Sequence, residues 1–396
     1  MALVLGVSAV VSGSAGAAKA ASAPVVKIVL LAETKGESSA AVPYYADGGA
    51  MAAAQLGSKV QLTRIPAPLT TAQAQTALLQ AIDQKPDLII GFPSSAQTIA
   101  LQPTIKNSGI PFLSLSSGEQ LVASGPYGAP NIILIRPVDT LVAVAETNYV
   151  LDTIKAKKIG LECVDNATGV NGCNAATKVI AAKKGASIFT QQKNGTADTD
   201  LTGQARAMSG ADAVLDFNFP NPLGVMANAL VANGVNVPHV DGSSASIIAG
   251  AKVVQGPAAT NLNGADDCVP IASTDKRVKK WVADYTAKFG YAPIYSAAEV
   301  YDMVNFAAVI AAKQGSVTPK AILKGLTTQA YPGICNTYKA DAIQVLSHSV
   351  DITKFDATGT VTIAKHLAFA PGALPFTVVT TVPTTSVAPT TTTKAP

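Results

Sequence analysis

The chain has 396 residues, 14% of them charged and 5% aromatic, with a formal net charge of +4. At the usual ~100–200 residues per domain it is too long for one small domain, and its Lys and Arg are scattered, without the run of about five or six that tracks a phosphate backbone. Nucleic acid is therefore not an expected partner; and although mean hydropathy is +0.30, no stretch past residue 24 reaches the ~18–20 uninterrupted apolar residues of a bilayer span.

Residues 1–24 pass from an apolar segment to small residues ending Ala21-Ser22-Ala23, an A-x-A cleavage pattern that predicts a secretory signal peptide. Lys19 lies on the wrong side of the apolar part, and a disordered Ala-rich start is the alternative. Residues 25–31 read as a buried first strand. Ala74, Ala77, Leu78, Ala81 and Ile82 recur at helical spacing, and residues 87–92 read as a second strand. Ser94 and Ser95 suit the start of a helix that stops near Gly109, and residues 110–115 read as a third strand. That is a βαβαβ unit. A second series opens with a long helix over 139–154 and continues in strands at 158–164, 186–190, 213–217 and 237–240. Two further helices carry Trp281, Tyr285 and Phe289, then residues 295–313; their aromatics read as core packing. Apolar runs alternating with helical patterns predict an α/β fold in which parallel sheet is covered on both faces. After Phe376 the chain turns to Thr and Pro with one Lys and no acid, a composition that predicts a disordered tail.

The four cysteines, Cys163, Cys173, Cys268 and Cys335, match no zinc or CxxC spacing. In an exported chain disulfides are expected. Three pairings are possible, and 163 with 173 plus 268 with 335 is favoured because each closes a loop without tying distant units. Four free thiols are the alternative.

Signals for catalysis are weak. There is no GxGxxG after the first strand, no GxxxxGK[ST], no HExxH and no GxSxG; His239, His348 and His366 are far apart, and no base stands near the serines at 114–117. No enzymatic activity, cofactor or metal is expected. The chemistry that stands out is that of binding. Phe92-Pro93-Ser94-Ser95 joins the carboxyl end of a strand to a helix start, where free N–H groups attract an anion, and Leu115-Ser116-Ser117-Gly118 ends the next strand. Together these edges suggest a cradle for a carboxylate, although the same serines could serve only as helix caps.

The stretches Leu88-Ile89-Ile90-Gly91-Phe92-Pro93-Ser94-Ser95, Gly109 to Ser117, Phe289-Gly290-Tyr291-Ala292-Pro293 and Ala297 to Val304, in this order and spacing, make the chain resemble a type I periplasmic solute-binding protein of ABC importers, of the leucine/isoleucine/valine-binding kind. The resemblance runs from Val26 to about Lys365. It implies two Rossmann-like lobes joined by three crossings, with lobe one at 25–137 plus 270–338, lobe two at 138–269 plus 339–372, and the tail at 373–396. It also implies a monomeric, extracytoplasmic receptor that takes a small-molecule ligand and meets a membrane ABC permease complex; a ligand sensor on the same fold is the alternative. In amino-acid-binding relatives the first lobe holds the ligand carboxylate, here through the positions matching Ser95, Ser116 and Gly118; Ser94 and Ser117, on the same two strand ends, are candidates beside them. The second lobe supplies aromatics and an acid for the ammonium. The matching places are Gly169, where the aromatic is missing, Asn218 or Phe219, and the run from Asp241 to Ser244. Asp241 is the expected acid. If it faces the cleft, the ligand should bring a cation; if it faces away, a small carboxylate or amide is as good a candidate as a branched-chain amino acid.

Overall fold

A computed structural model describes residues 24–32, 42–67 and 71–374. The cleavage pattern at 21–23 and the Thr/Pro-rich stretch after Phe376 lie outside the described residues. Among these, the strands form a five-stranded sheet, a seven-stranded sheet and a two-stranded hairpin.

The first lobe opens with β1 (Val26–Ala32), α1 (Val42–Leu56), β2 (Val60–Pro66), α2 (Thr71–Asp83), β3 (Leu88–Gly91), α3 (Ser95–Ser108), β4 (Phe112–Ser114) and β5 (Ile132–Leu134). The strands lie in the order β2-β1-β3-β4-β5, all parallel. Central β3 and β4 are buried at every position, as a sheet covered on both faces requires. The pair α1 and β2 extends the expected βαβαβ unit. Strand β2 sits at the sheet edge with Gln61 and Arg64 exposed, so it lacks the continuous apolar run that marks the central strands. Helix α3 starts where Ser94 Oγ accepts from Gln97 N and stops at Gly109, whose φ of 65° suits glycine.

The second lobe begins with α4 (Asp139–Asn148), which continues as a wider π turn over Tyr149–Ile154. It proceeds through β6 (Lys158–Val164), α5 (Ala167–Ala182), β7 (Ser187–Asn194), α6 (Thr202–Ala207), β8 (Ala213–Phe217) and α7 (Pro220–Ala232). Next come β9 (His239–Asp241), α8 (Ser244–Gly250), α9 (Pro257–Asn261) and β10 (Leu262–Asp266). The chain then returns to the first lobe for α10 (Lys276–Phe289), α11 (Tyr295–Gln314), α12 (Pro319–Thr328) and the hairpin of β11 (Ala330–Pro332) and β12 (Thr337–Lys339). Trp281, Tyr285 and Phe306 there share one core with Ile28 and Leu30 of β1. Finally β13 (Ser349–Phe355) and β14 (Val361–Ala368) complete the second sheet, ordered β14-β13-β10-β9-β8-β6-β7. Both are antiparallel additions, so this sheet is parallel only as far as β10.

Three segments thus cross between the lobes, after β5, after β10 and after β12, and they are tied to one another. Leu346 N donates to Leu134 O at 2.9 Å, laying the third crossing along β5. Asn336 Nδ2 donates to Asp267 O at 3.1 Å and to Ser347 Oγ at 2.9 Å. The Cys268–Cys335 disulfide joins the second crossing to the β11–β12 hairpin, and Cys163–Cys173 joins the end of β6 to α5.

Candidate functional site

The carboxyl ends of β3, β4, β8 and β9 converge on one cavity between the lobes, the position at which open α/β sheets collect ligands. Its volume is about 100 Å³.

From the first lobe, Ser95 and Ser117 line it; from the second, Asn218, Phe219, Asp241 and Ser244. The other sequence-nominated residues stand behind this wall. Ser94 caps α3, and its carbonyl accepts from Thr98 Oγ1 at 3.0 Å. Ser116 Oγ lies 2.7 Å from Ser114 Oγ and donates to Thr98 Oγ1 at 3.3 Å, so its hydroxyl is spent inside the lobe. Gly118 is small for a reason: a Cβ there would come within 3.2 Å of Ser95 Oγ and crowd the cavity's own serine. Gly169 is likewise a close approach, since a Cβ would lie 2.0 Å from Val164 O and push α5 off the end of β6. No aromatic could occupy that place.

Asp241 does face the cleft. Its Oδ2 accepts from Asn218 N at 3.0 Å, while Oδ1 is buried without a hydrogen-bond partner. Burial, then repulsion from Asp216 and Glu146, holds its carboxyl well above the usual carboxylate range. Ser244 Oγ donates to Asn218 O at 2.9 Å, which fixes the turn after β8 to the turn after β9, and Asn218 Nδ2 donates back to Asp216 Oδ1 of β8 at 3.0 Å.

Several lining residues carry no motif. Arg136, on the crossing after β5, pairs its Nε with Asp267, donates from Nη2 to Ser243 Oγ at 2.5 Å, and stacks 4.7 Å from the centre of the Tyr295 ring. Tyr45 of α1 lines the cavity beside it. Asp139, Val142, Ala143 and Glu146 line it from α4, with spacings of 3, 1 and 3 that put them on a single helix face. Burial, with repulsion from Glu119, pushes Asp139 up to about 7, and burial with repulsion from Asp139 and Asp216 raises Glu146 well above its usual range.

Two α/β lobes closing on a polar cavity define a two-lobed binding protein. The chain belongs to the periplasmic binding protein family, whose model matches residues 25–360. No curated protein matches it by sequence. Solved structures share its fold. A leucine-binding protein from Thermotoga maritima is 20% identical with a TM-score of 0.75, covering 87% of this chain and 99% of that one. The branched-chain amino acid transporter substrate-binding protein of Streptococcus pneumoniae, in complex with isoleucine, is 19% identical at a TM-score of 0.75, covering 87% and 99%. An ABC transporter solute-binding protein from R. palustris, in complex with benzoate, is 15% identical at 0.78, covering 87% and 96%.

Proposed function

We propose that the chain is the extracytoplasmic receptor of an ABC importer, capturing a small polar solute between its lobes and delivering it to a membrane permease. The single observation that carries this reading is the cavity itself, lined by hydroxyls of the first lobe and by Asp241 of the second. The lobes are taken as 25–137 plus 270–338 and 138–269 plus 339–372, although Val345 and Leu346 pack in first-lobe cores. Ser95 and Ser117 would hold the polar end of the solute, and Asp241 an ammonium. That range of ligands runs from branched-chain amino acids to related carboxylates and amides. The work is conformational: a ligand favours the closed form only by contacting both lobes more strongly there. Family membership supports binding in place of turnover.

Small-angle scattering of the purified protein with leucine, isoleucine, leucinamide and benzoate tests the reading. Compaction at saturation is expected with at least one of them; an unchanged shape with all would refute it.

A further inference from the structure

Acids outnumber bases on the wall of the cleft. Among the described lining residues Asp139, Glu146 and Asp241 carry carboxyls and Arg136 the one basic group. That guanidinium is already held by Asp267 and Ser243, with Glu299 Oε1 3.9 Å away, so it has little to offer an incoming anion. The carboxyls are in the opposite condition. Glu146 and Asp241 are each 1% exposed, yet Glu146 Oε2 and Asp241 Oδ1 have no hydrogen-bond partner, and neither has Asp139 Oδ2. Glu146 Oε1 lies 3.5 Å from the place a Cβ would take on Gly242, next to Asp241, so the α4 acid and the β9 acid share one end of the cavity. A buried carboxylate without a counter-charge is costly, and neighbours of like charge add to the cost. One cation at that end of the cavity would relieve both Glu146 and Asp241. The ring of Phe219 and the ring of Tyr45 line the same space, and aromatic faces attract ammonium groups.

We propose that the cleft selects a solute of net positive charge, an amine on a small hydrocarbon body whose other end is a neutral amide or hydroxyl, with its ammonium between Glu146 and Asp241. This rests on the receptor reading and narrows it. A free carboxylate on the solute would find no free cation in the described lining, its lone arginine being already taken, whereas a neutral polar end can accept from Ser95 and Ser117. Glu146 is the residue that sets the selection, because it lines the cavity from α4 and no cation among the described residues pairs with it.

Leucine and leucinamide make the matched test, since they share a hydrocarbon body and differ in net charge. Calorimetric titration of the full-length protein at pH 7, with isovaleramide and benzoate as probes lacking an amine, should show leucinamide binding at least tenfold tighter than leucine. Glu146→Gln should weaken leucinamide at least tenfold while leaving the melting temperature of the ligand-free protein unchanged or higher. Asp241→Asn replaces it if that variant does not fold. Leucine, isovaleramide or benzoate binding as well as leucinamide, or unchanged leucinamide affinity in the Glu146 variant, overturns the charge selection; scattering that still shows compaction then leaves the receptor reading standing. No binding by calorimetry and no compaction by scattering with any of these five compounds overturns both.

Discussion

Gln120 and Asn171 exchange side-chain amides across the cleft: Gln120 Nε2 donates to Asn171 Oδ1 at 2.9 Å and Asn171 Nδ2 donates back to Gln120 Oε1 at 3.1 Å. Gln120 follows β4 in the first lobe, Asn171 lies on α5 of the second, and both are buried. The pair can exist only when the lobes are together, so it stabilises the closed form independently of the ligand. Two neutral hydrogen bonds contribute about 0.5–1.5 kcal/mol each. Gln120→Ala or Asn171→Ala should therefore weaken ligand binding by roughly five- to hundredfold, and the double variant should add little to either single one. Calorimetric titration checks the affinity. Additive losses would mean that the two amides act separately.

Much of the frame is legible in the sequence because buried parallel strands are continuous apolar runs, as at Leu88–Gly91 and Lys158–Val164. The strand ends are legible too, but not which hydroxyl faces the cleft: of two adjacent pairs, Ser95 and Ser117 line the cavity while Ser94 and Ser116 bond inward. Asp139 and Glu146 carry a signal of their own, acids on the same face of α4 as Val142 and Ala143, which helical spacing alone could reveal. Tyr45 and Tyr295 carry none. They come from α1 and α11, which reach the cleft only because those helices pack on each other against β1, a tertiary fact that no local pattern encodes.

Arg136 should matter for folding. It is the counter-charge for Asp267 and Glu299, which are 3% and 2% exposed. Burial already raises Glu299 well above the usual range against the pull of Arg136. Removing one partner of a buried pair costs about 3–5 kcal/mol. Arg136→Met should lower stability by that order at pH 8 and by less at pH 5, where the orphaned acids can take up protons. Denaturant melts at the two pH values decide it; equal destabilisation at both would mean that packing, not charge, is lost.

The disulfides should differ in weight according to the loops they close. Sequence separations of 10 and 67 residues correspond to roughly 3 and 4 kcal/mol of chain-entropy stabilisation. Thiol titration of the denatured, unreduced protein should find no reactive group. Cys268→Ser with Cys335→Ser should lower the melting temperature more than the Cys163/Cys173 double serine variant, and should also loosen the hinge, because Cys268 lies on the second crossing. The reverse order of melting temperatures would contradict the loop-length account.

Glu162 gives the protein an alkaline weakness. It lies on β6, wholly buried, with neither carboxyl oxygen hydrogen-bonded. Burial, then repulsion from Asp216 and Asp198, pushes its carboxyl up to about 9. Its folded value is thus above the ~4.3 of an unfolded chain, so between the two the folded state binds more protons, and stability must fall as pH rises. Below the unfolded value the group costs nothing; the loss grows through the interval and is complete above about 9. Glu162→Gln removes this single contribution, leaving those of Asp139 and Asp266, which are raised to about 7 and about 8. Denaturant unfolding at pH 6 and pH 8 should therefore show the variant gaining on the unaltered protein by up to about 1.4 kcal/mol per pH unit. A constant difference between the two proteins across that interval would mean that Glu162 is ionised in the folded state throughout, and would overturn this account.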